Sequence, residues 1–378
     1  MLLQKTVEHD ARVRREARAL AGAGHDLTIA HLPAEPGGPS VEQDGYRLSS
    51  ASPRPWVRRQ LPAGLYRLAA VRNLIAAARR DSPDVVHAHD VAMLVPGFIA
   101  ARLAGARLVY DSHELATGVP YRSRAWGWLV AIIERLLVRR CDQVITVSDG
   151  IAARLQERYG LERPVTVVRN VADPPSSDTG GEPRLDLRST LGLGDRPLVL
   201  HQGAIAQDRG CENLVAAISM VEADLVFLGA EGAQAERLRA SVDRAGTGDR
   251  IHFLPPAPLE QLLAITAQAD VGVSLLEDTC ENHRLALPNK VFDYVAAGVP
   301  VVVSALPELE RLVAAHGIGW TVDPSDPASV AAGLRVALEA RGDEGLRRRL
   351  AEAGAGLSWR SEKQALLELY SRLERRPG

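Results

Sequence analysis

The sequence predicts an α/β protein built from two domains, each a doubly wound, mainly parallel sheet. Short apolar runs typical of strands alternate with amphipathic helical segments along the chain. Several of these runs end in polar residues, as strands of a parallel sheet do where they meet a binding edge. At 378 residues the chain is too long for one compact core, and the alternation is interrupted once before it restarts.

The interruption divides the chain. The segment ADPPSSDTGGEP has the composition of a linker. We expect a first domain over residues 1–173, a linker over 174–196, a second domain over 197–358, and a last helix over 359–376.

Composition excludes several classes of protein. A formal net charge of −2, with dispersed arginines, argues against nucleic-acid binding. The three cysteines are far apart and show no CxxC spacing, so neither a disulfide framework nor a zinc site is expected. No apolar run reaches the roughly 18 residues that span a bilayer, and no signal peptide is recognised, so we expect a cytoplasmic protein.

The first domain opens with a short strand, MLL, a loop at His9 and a helix. Asp10 is the expected N-cap, and Val13, Ala17 and Leu20 form the inner stripe. Residues 33–62 are rich in Pro, Gly and Ser and are expected to be irregular. The helix LYRLAAVRNLIAAARR, the strands DVVHAH, RLVY, QVITV and PVTVVRN, and the helix DGIAARLQERYG complete the domain.

Polar clusters follow three of these strands, at positions that meet along one edge of a parallel sheet. A lone histidine is usually a structural group, but three clusters at one edge indicate a site. No HExxH motif, i, i+4 histidine pair or DxD pair is present, so no metal is expected. The clusters are His9-Asp10, His87-Ala88-His89-Asp90 and Asp111-Ser112-His113-Glu114.

The second domain restarts with the strand RPLVLHQG and a turn, GAIAQDRGCENL, before a helix. Gly203 lets the backbone approach a ligand, and Arg209 places a permanent cation beside the helix start. The next strand, ADLVFLGAEG, ends in a glycine turn at Gly229. An arginine in such a loop is commonly a solvated charge; together with a second cation it becomes half of a pyrophosphate clamp.

The second cation is Lys290, in the stretch ENHRLALPNKVFDYVAAGVPVVVS. Pro288 marks the start of a helix, where a cation opposes the dipole by about 0.3–1 kcal/mol. A bound phosphate reverses that penalty, and Asp293, three residues on, is then placed to accept ribose hydroxyls. The plainer alternative is an ordinary helix with an intrahelical Lys290–Asp293 pair.

With these residues the chain resembles the GT-B glycosyltransferases, specifically the retaining family 4 group, over nearly its whole length. The resemblance rests on HDARVRREARALAGAGHDLTI, PDVVHAHD, LVYDSHEL, CDQVITVS, VTVVRN, QGAIAQDRGCENL, LPNKVFDYVAAGVPVV and WRSEKQALLELYSRL. It implies two Rossmann-like domains with a nucleotide-sugar in an interdomain cleft, and a last helix that crosses back to the N-terminal, acceptor-binding domain.

The resemblance also implies roles for single residues. His113 takes the position of a sugar-contacting histidine, Arg209 that of the basic residue in the phosphate turn, and Asp293 that of the second glutamate of the EX7E motif. The implied catalytic residues are His113, Arg209 and Lys290. The implied donor-binding residues are Gly203, Arg209, Gly229, Asn282, Asn289, Lys290 and Asp293, and the candidate acceptor or sugar contacts are His9, Asp10, His89 and Glu281.

Two positions depart from the family pattern. Leu285 stands where the first EX7E glutamate belongs, with Glu281 or Asn282 as nearby substitutes, and Ala204 replaces an arginine of the phosphate turn. We therefore expect Lys290 to carry more of the phosphate binding.

The expected activity is metal- and cofactor-independent transfer of a sugar, with retention, from a nucleoside-diphosphate donor to a small-molecule, glycan or lipid acceptor. An epimerase of the same fold and a catalytically silent nucleotide-sugar-binding partner remain alternatives. Trp126 and Trp128 leave a peripheral membrane contact open, although packing against their own domain is the more ordinary role for them.

Overall fold

The computed structural model describes residues 1–4, 6–7, 10–32, 41–52, 63–119, 123–172 and 185–375. The chain forms two compact units, one of Met1–Arg169 with Glu362–Gly378 and one of Asn170–Ser361. Each unit contains one sheet of largely parallel strands connected by helices, which confirms the predicted α/β fold.

The first unit contains an eight-stranded sheet of order β3-β4-β2-β1-β5-β6-β7-β8, parallel except where β3 meets β4. The strands are β1 (Leu2–Leu3), β2 (Thr28–His31), β3 (Val41–Gln43), β4 (Tyr46–Ser50), β5 (Val85–His89), β6 (Arg107–Ser112), β7 (Gln143–Thr146) and β8 (Thr166–Val167).

The helices of the first unit are α1 (Ala11–Gly22), α2 (Ala63–Arg79), α3 (Asp90–Ala104), α4 (Arg124–Leu137) and α5 (Asp149–Tyr159). The N-cap of α1 is Asp10, whose carboxylate accepts a hydrogen bond from the backbone N–H of Val13. The inner stripe Val13, Ala17 and Leu20 is completely buried, as its spacing predicts.

The expectation of irregular structure over residues 33–62 is wrong for residues 41–50. There β3 and β4 form an antiparallel hairpin, and its two turn residues, Asp44 and Gly45, have φ of 52° and 82°. Positive φ at both central residues is the reason Asp-Gly favours tight hairpins, so the signal was present in the sequence. Residues 33–40 and 53–62 lie outside the described part of the chain.

The second unit contains a six-stranded parallel sheet of order β11-β10-β9-β12-β13-β14. The strands are β9 (Leu198–Gln202), β10 (Asp224–Leu228), β11 (Ile251–Leu254), β12 (Val271–Ser274), β13 (Val301–Ser304) and β14 (Gly319–Val322). The central strands are buried along their whole length, as expected of a parallel sheet covered on both faces.

The helices of this part of the chain begin with a short α6 (Leu187–Leu191), capped by Asp186, within the segment predicted as linker. The Asp186 cap and the buried Leu187 stabilise this short helix, which the composition of the segment did not predict. The helices that follow are α7 (Cys211–Ile218), α8 (Ala233–Ala245), α9 (Leu259–Thr266), α10 (Glu281–Leu285), α11 (Asn289–Ala296), α12 (Pro307–His316), α13 (Pro327–Glu339) and α14 (Glu344–Gly356).

The last helix is α15 (Trp359–Glu374), and its residues from Glu362 onward belong to the first unit. Its stripe of Leu366, Leu369 and Leu373 is buried, as predicted. Near its end the Tyr370 hydroxyl lies 2.9 Å from His87 Nδ1. Within the described ranges, no helix combines the length and apolar character needed to cross a membrane.

Candidate functional site

The carboxyl ends of β5 and β6 gather polar side chains in the first unit. Asp111, near the end of β6, is completely buried and accepts two hydrogen bonds from Arg12 of α1, with Nε–Oδ2 and Nη2–Oδ1 distances of 2.9 Å. This bidentate geometry fixes both side chains, because a guanidinium matches a carboxylate in one plane. This pair was not predicted from the sequence, because its members are 99 residues apart.

His113 lies between two carboxylates. Its Nε2 is 3.1 Å from Asp111 Oδ2, and its Nδ1 is 3.5 Å from Asp90 Oδ2. Asp90 begins α3 with φ of 65°, and this rare conformation occurs where β5 turns directly into the helix. His89 Nδ1 also lies 3.2 Å from Asp111 Oδ2. His89 and His113, which belong to two of the polar clusters expected along one sheet edge, therefore contact the same carboxylate oxygen.

These contacts determine which groups carry charge. Burial by itself lowers the pKa of His113, but the charge and hydrogen bond of Asp111, together with the charge of Asp90, raise it to about 9. Burial acts to raise the pKa of Asp111, and Arg12 and His113 outweigh it, so the carboxyl pKa is well below its usual range. His113 is therefore a cation at neutral pH and donates hydrogen bonds.

Four side chains of the same region have the chemistry of metal ligands. The donor atoms of Glu16, His87, His89 and Asp111 all lie within 4.8 Å of one another. However, the Arg12 guanidinium contacts both carboxylates, at 3.0 Å from Glu16 and 2.9 Å from Asp111. A permanent cation already serves these carboxylates, and a metal ion would compete with it.

The other two sequence candidates of this unit are placed differently. Asp10 is occupied as the N-cap of α1, which gives its carboxylate a structural role. His9 lies outside the described residues.

In the second unit, Tyr294 fixes α11 against the sheet. Its hydroxyl accepts a hydrogen bond from the backbone N–H of Gln202 at 2.9 Å and donates toward the carbonyl of Leu200 at 3.0 Å. Gly272 on β12 allows this close approach, because a Cβ there would collide with the Tyr294 ring. Helix α11 therefore holds Lys290 and Asp293 at the carboxyl end of β9.

Lys290 is directed toward that strand end and not toward Asp293. Its Nζ lies 3.1 Å from His201 Nε2, and a Cβ built on Gly203 would lie 3.9 Å from its Cε. Gly203 has φ of 98°, which favours glycine. Next to it, a Cβ on Gly229 would approach the backbone of Gly203 to 3.2 Å, so close packing favours glycine at position 229.

The charges that act on Lys290 explain its protonation. Burial, followed by the positive charge of Arg209, lowers the pKa of Lys290 to about 7. Burial and the charges of Lys290 and Arg209 also hold the pKa of His201 well below its ordinary value. His201 is therefore neutral and accepts a hydrogen bond from the ammonium group. The structure brings Lys290, Arg209 and Gly203 together as the sequence suggested.

Asp293 belongs to a second hydrogen-bonded chain. Its Oδ2 accepts from Gln202 Nε2 at 2.7 Å, and Gln202 Oε1 accepts from Thr266 Oγ1 at 2.9 Å. His201 and Gln202 were not among the candidate residues. The signal that could have found them is the same one used elsewhere, namely polar residues that end a buried strand.

The remaining candidates lie on or beside α10. Glu281 is its first residue and is half-buried, Asn282 is 8% exposed, and Leu285 ends the helix. Asn289 is the exposed first residue of α11. Glu281 and Asn282 thus stand on a different helix from Lys290 and Asp293, separated from them in sequence by the Pro288 turn.

Comparison with known proteins identifies both halves of the chain. The family described as Glycosyltransferase Family 4 matches residues 11–174, and the one described as Glycosyl transferases group 1 matches residues 184–356. A 2-deoxystreptamine N-acetyl-D-glucosaminyltransferase of Streptomyces fradiae is 30% identical over 69% of this chain and 67% of its own. A 2-deoxystreptamine glucosyltransferase of Streptomyces kanamyceticus is 27% identical over 87% of both chains.

Solved structures agree on the fold. Sucrose-phosphate synthase from Thermosynechococcus elongatus superposes with a TM-score of 0.74 at 20% identity, covering 99% of this chain and 98% of that one. The Anabaena protein HepE in complex with UDP-glucose gives 0.73 at 16% identity, covering 98% of both chains. The chain therefore belongs to glycosyltransferase family 4, and it is a glycosyltransferase of the GT-B fold.

Proposed function

We propose that this glycosyltransferase takes its sugar from a nucleoside-diphosphate donor, whose diphosphate binds between Lys290 and Arg209. The observation that carries the proposal is the electrostatic state of Lys290. Its neighbours are a second cation, Arg209, and a neutral acceptor, His201. An anion that reaches both cations relieves their repulsion and restores the full charge of the lysine.

The same groups suit the chemical step. Breaking the bond to the sugar leaves negative charge on the diphosphate, and Lys290 and Arg209 stabilise it without rearrangement. We propose that these two cations take the part that a metal ion plays in other diphosphate-using enzymes, so that the reaction is metal-independent. Asp293, oriented by Gln202, is proposed to accept hydrogen bonds from the ribose hydroxyls.

We further propose that transfer retains the anomeric configuration. The acceptor attacks from the side on which the diphosphate leaves, and a phosphate oxygen takes the acceptor proton. His113 is proposed to contact the transferred sugar as a hydrogen-bond donor, which agrees with its raised pKa of about 9.

Similar proteins support the donor class without defining the substrates. HepE, which has the same fold, has been solved in complex with UDP and with UDP-glucose, and the two Streptomyces relatives are named for glucosyl and N-acetylglucosaminyl transfer to 2-deoxystreptamine. An epimerase would require acid and base carboxylates around the sugar, and Leu285 at the first EX7E position does not favour it.

The test is a thermal-shift panel with UDP, GDP and dTDP, each beside its nucleoside. We expect at least one diphosphate to raise the melting temperature by more than its nucleoside does. Lys290→Ala should abolish that difference while leaving the nucleoside effect. Lys363→Ala, which changes a lysine of α15, is the matched control and should behave as the unmodified chain.

Failure of all three diphosphates to stabilise the protein would refute the proposed donor site. Equal losses of diphosphate and nucleoside binding in Lys290→Ala would refute direct phosphate contact. Transfer activity that persists in EDTA and is not increased by added Mg²⁺ or Mn²⁺ would support the metal-independent mechanism, and activity lost in EDTA and restored by either ion would contradict it.

A further inference from the structure

Helix α4 has a stripe of apolar side chains on a face that its own domain leaves largely exposed. Trp128, Leu129, Ile132 and Leu136 lie within about 100° of one another around the helix axis. Trp128 is 70% exposed, and Leu129 and Leu136 are 40% and 53% exposed. The opposite side buries a carboxylate, Glu134.

The carboxylate on the buried face of α4 finds its hydrogen-bond partners within the same domain. Glu134 Oε1 accepts a hydrogen bond from the Tyr110 hydroxyl at 2.9 Å, and its Oε2 accepts one from the Tyr159 hydroxyl. The face of α4 that carries Val130 and Glu134 is therefore committed to the interior, and turning the helix over would leave the two tyrosine hydroxyls without their hydrogen-bond partner. The exposed apolar stripe is a stable feature of the surface.

The stripe is part of a larger apolar surface. Helix α3 contacts α2 on one side and α4 on the other, so the three helices lie side by side. Of the eleven large hydrophobic side chains exposed among the described residues, eight belong to these helices. They are Leu65, Leu68, Ile99, Leu103, Trp126, Trp128, Leu129 and Leu136, which we call the apolar face.

The charges on the three helices and on the turn that follows α4 are mainly positive, and exposed carboxylates, Asp81 and Asp142, lie directly beyond these segments. Residues 63–80, 90–104 and 124–140 contain two acidic residues, Asp90 and Glu134. Glu134 is buried, and Asp90, whose side chain is 39% exposed, lies 3.5 Å from His113 at the start of α3. The exposed arginines of these helices and of the turn that follows α4 are Arg72, Arg79, Arg102, Arg124, Arg135, Arg139 and Arg140. The chain as a whole has a net charge of −2, so this positive surface is local.

We propose that the apolar face is a docking surface for an anionic lipid bilayer. Tryptophan prefers the interface between lipid headgroups and acyl chains, leucine inserts below it, and arginine binds lipid phosphates. A second copy of this chain is disfavoured, because a two-fold contact would place the arginines of one face against those of the other. The proposal is independent of which nucleotide-sugar the enzyme uses.

The test is co-sedimentation of the full chain with vesicles of phosphatidylcholine alone and of phosphatidylcholine with phosphatidylglycerol. We expect binding to the anionic vesicles that weakens with salt. Arg124→Gln/Arg135→Gln should weaken it by about fivefold for each arginine, whereas Arg237→Gln/Arg244→Gln on α8 should leave it unchanged. Trp128→Ser/Leu136→Ser should weaken binding by at least about tenfold.

The matched apolar control is Met220→Ser/Leu259→Ser, which changes exposed side chains of the second unit and should leave vesicle binding unchanged. All replaced side chains are exposed, and equal melting temperatures check that each variant folds. Absence of binding to anionic vesicles, equal binding to neutral ones, or equal losses in the two apolar variants would each overturn the proposal. Self-association that Trp128→Ser/Leu136→Ser abolishes, with vesicle binding unchanged, would assign the face to a second copy.

Discussion

The polar strand ends of the two sheets differ in how their charges are balanced. In the first unit, the cations Arg12 and His113 meet the carboxylates Asp111 and Asp90 at 2.9–3.5 Å, so that charge is largely balanced within the protein. In the second unit, Lys290 faces a neutral histidine and is repelled by Arg209.

This difference in charge balance suits the two regions to different tasks. A network whose charges are paired keeps its geometry and presents a fixed hydrogen-bond donor, His113, whatever is bound. Lys290, whose pKa is lowered, and the nearby Arg209 gain energy only when an anion arrives. The same strand-end architecture therefore provides a preorganised polar network in one unit and, in the other, the two cations that we propose bind the diphosphate.

The largest effect is expected for Asp111→Asn. It leaves the buried Arg12 without its bidentate partner, and removing one member of a buried ion pair costs about 3–5 kcal/mol. We expect a value near the lower end, since Glu16 still contacts Arg12. Urea unfolding measures it. Asp44→Asn is the control, because the Arg18–Asp44 pair is exposed and should contribute less than about 1 kcal/mol.

Gln202→Met should lower the free energy of unfolding by less than Asp111→Asn does, and it should affect ligand binding as well. It removes the hydrogen bonds to Asp293 and Thr266, at about 1–3 kcal/mol of unfolding free energy. If Asp293 binds ribose, nucleoside affinity should fall as well. Gln268→Met breaks comparable bonds to Leu187 and Leu185 in the same unit and should lower stability alone. Unchanged nucleoside affinity in Gln202→Met would argue against the role of Asp293.

Diphosphate binding should be accompanied by proton uptake above neutral pH. The pKa of Lys290 is about 7, so at pH 8 most molecules carry a neutral amine that the bound anion would protonate. Calorimetric titration in buffers of different ionisation enthalpy measures the uptake, and Lys290→Met should remove it. Buffer-independent enthalpies for the unmodified chain would show that the lysine does not change its charge on binding.

Asp90→Asn should have the smallest and most specific effect. It keeps the side-chain shape, and Asn tolerates the positive φ of this position. The pKa of His113 should fall from about 9 toward its ordinary value because one facing carboxylate loses its charge. The alkaline decline of transfer should then begin at lower pH, with little change at pH 6. An identical pH profile would contradict the assignment of His113 as a cationic donor.

The pKa of His113 also predicts how stability depends on pH. Its folded-state pKa is raised, so its charge contributes stability fully below its ordinary value near 6.5, and the contribution is lost as pH rises through about 9. Lys290 acts in the opposite sense: its folded-state pKa is lowered, so its penalty on stability is full below about 7 and is relieved as pH rises from there toward the ordinary value of 10.5.

Much of the fold could be predicted from local patterns. The alternation of strands and helices, the caps at Asp10 and Ser148, and the buried stripes of α1 and α15 follow from periodicity and capping chemistry. The hairpin at Asp44-Gly45 was overlooked because Pro and Gly dominate the surrounding composition, and α6 was overlooked because it is only five residues long.

The sequence by itself determined the family, the α/β architecture, and Lys290 and Arg209 as candidate phosphate ligands, because each was recognised from the residues next to it in the chain. Only the tertiary structure decided that Arg12 pairs with Asp111, that Lys290 lies against a neutral His201, and that α4 buries Glu134 while exposing Trp128. Each of these joins distant segments or depends on which face of a helix is covered. Local sequence patterns do not predict such contacts or the covered face of a helix, because burial and charge balance are set by neighbours that only the folded chain brings together.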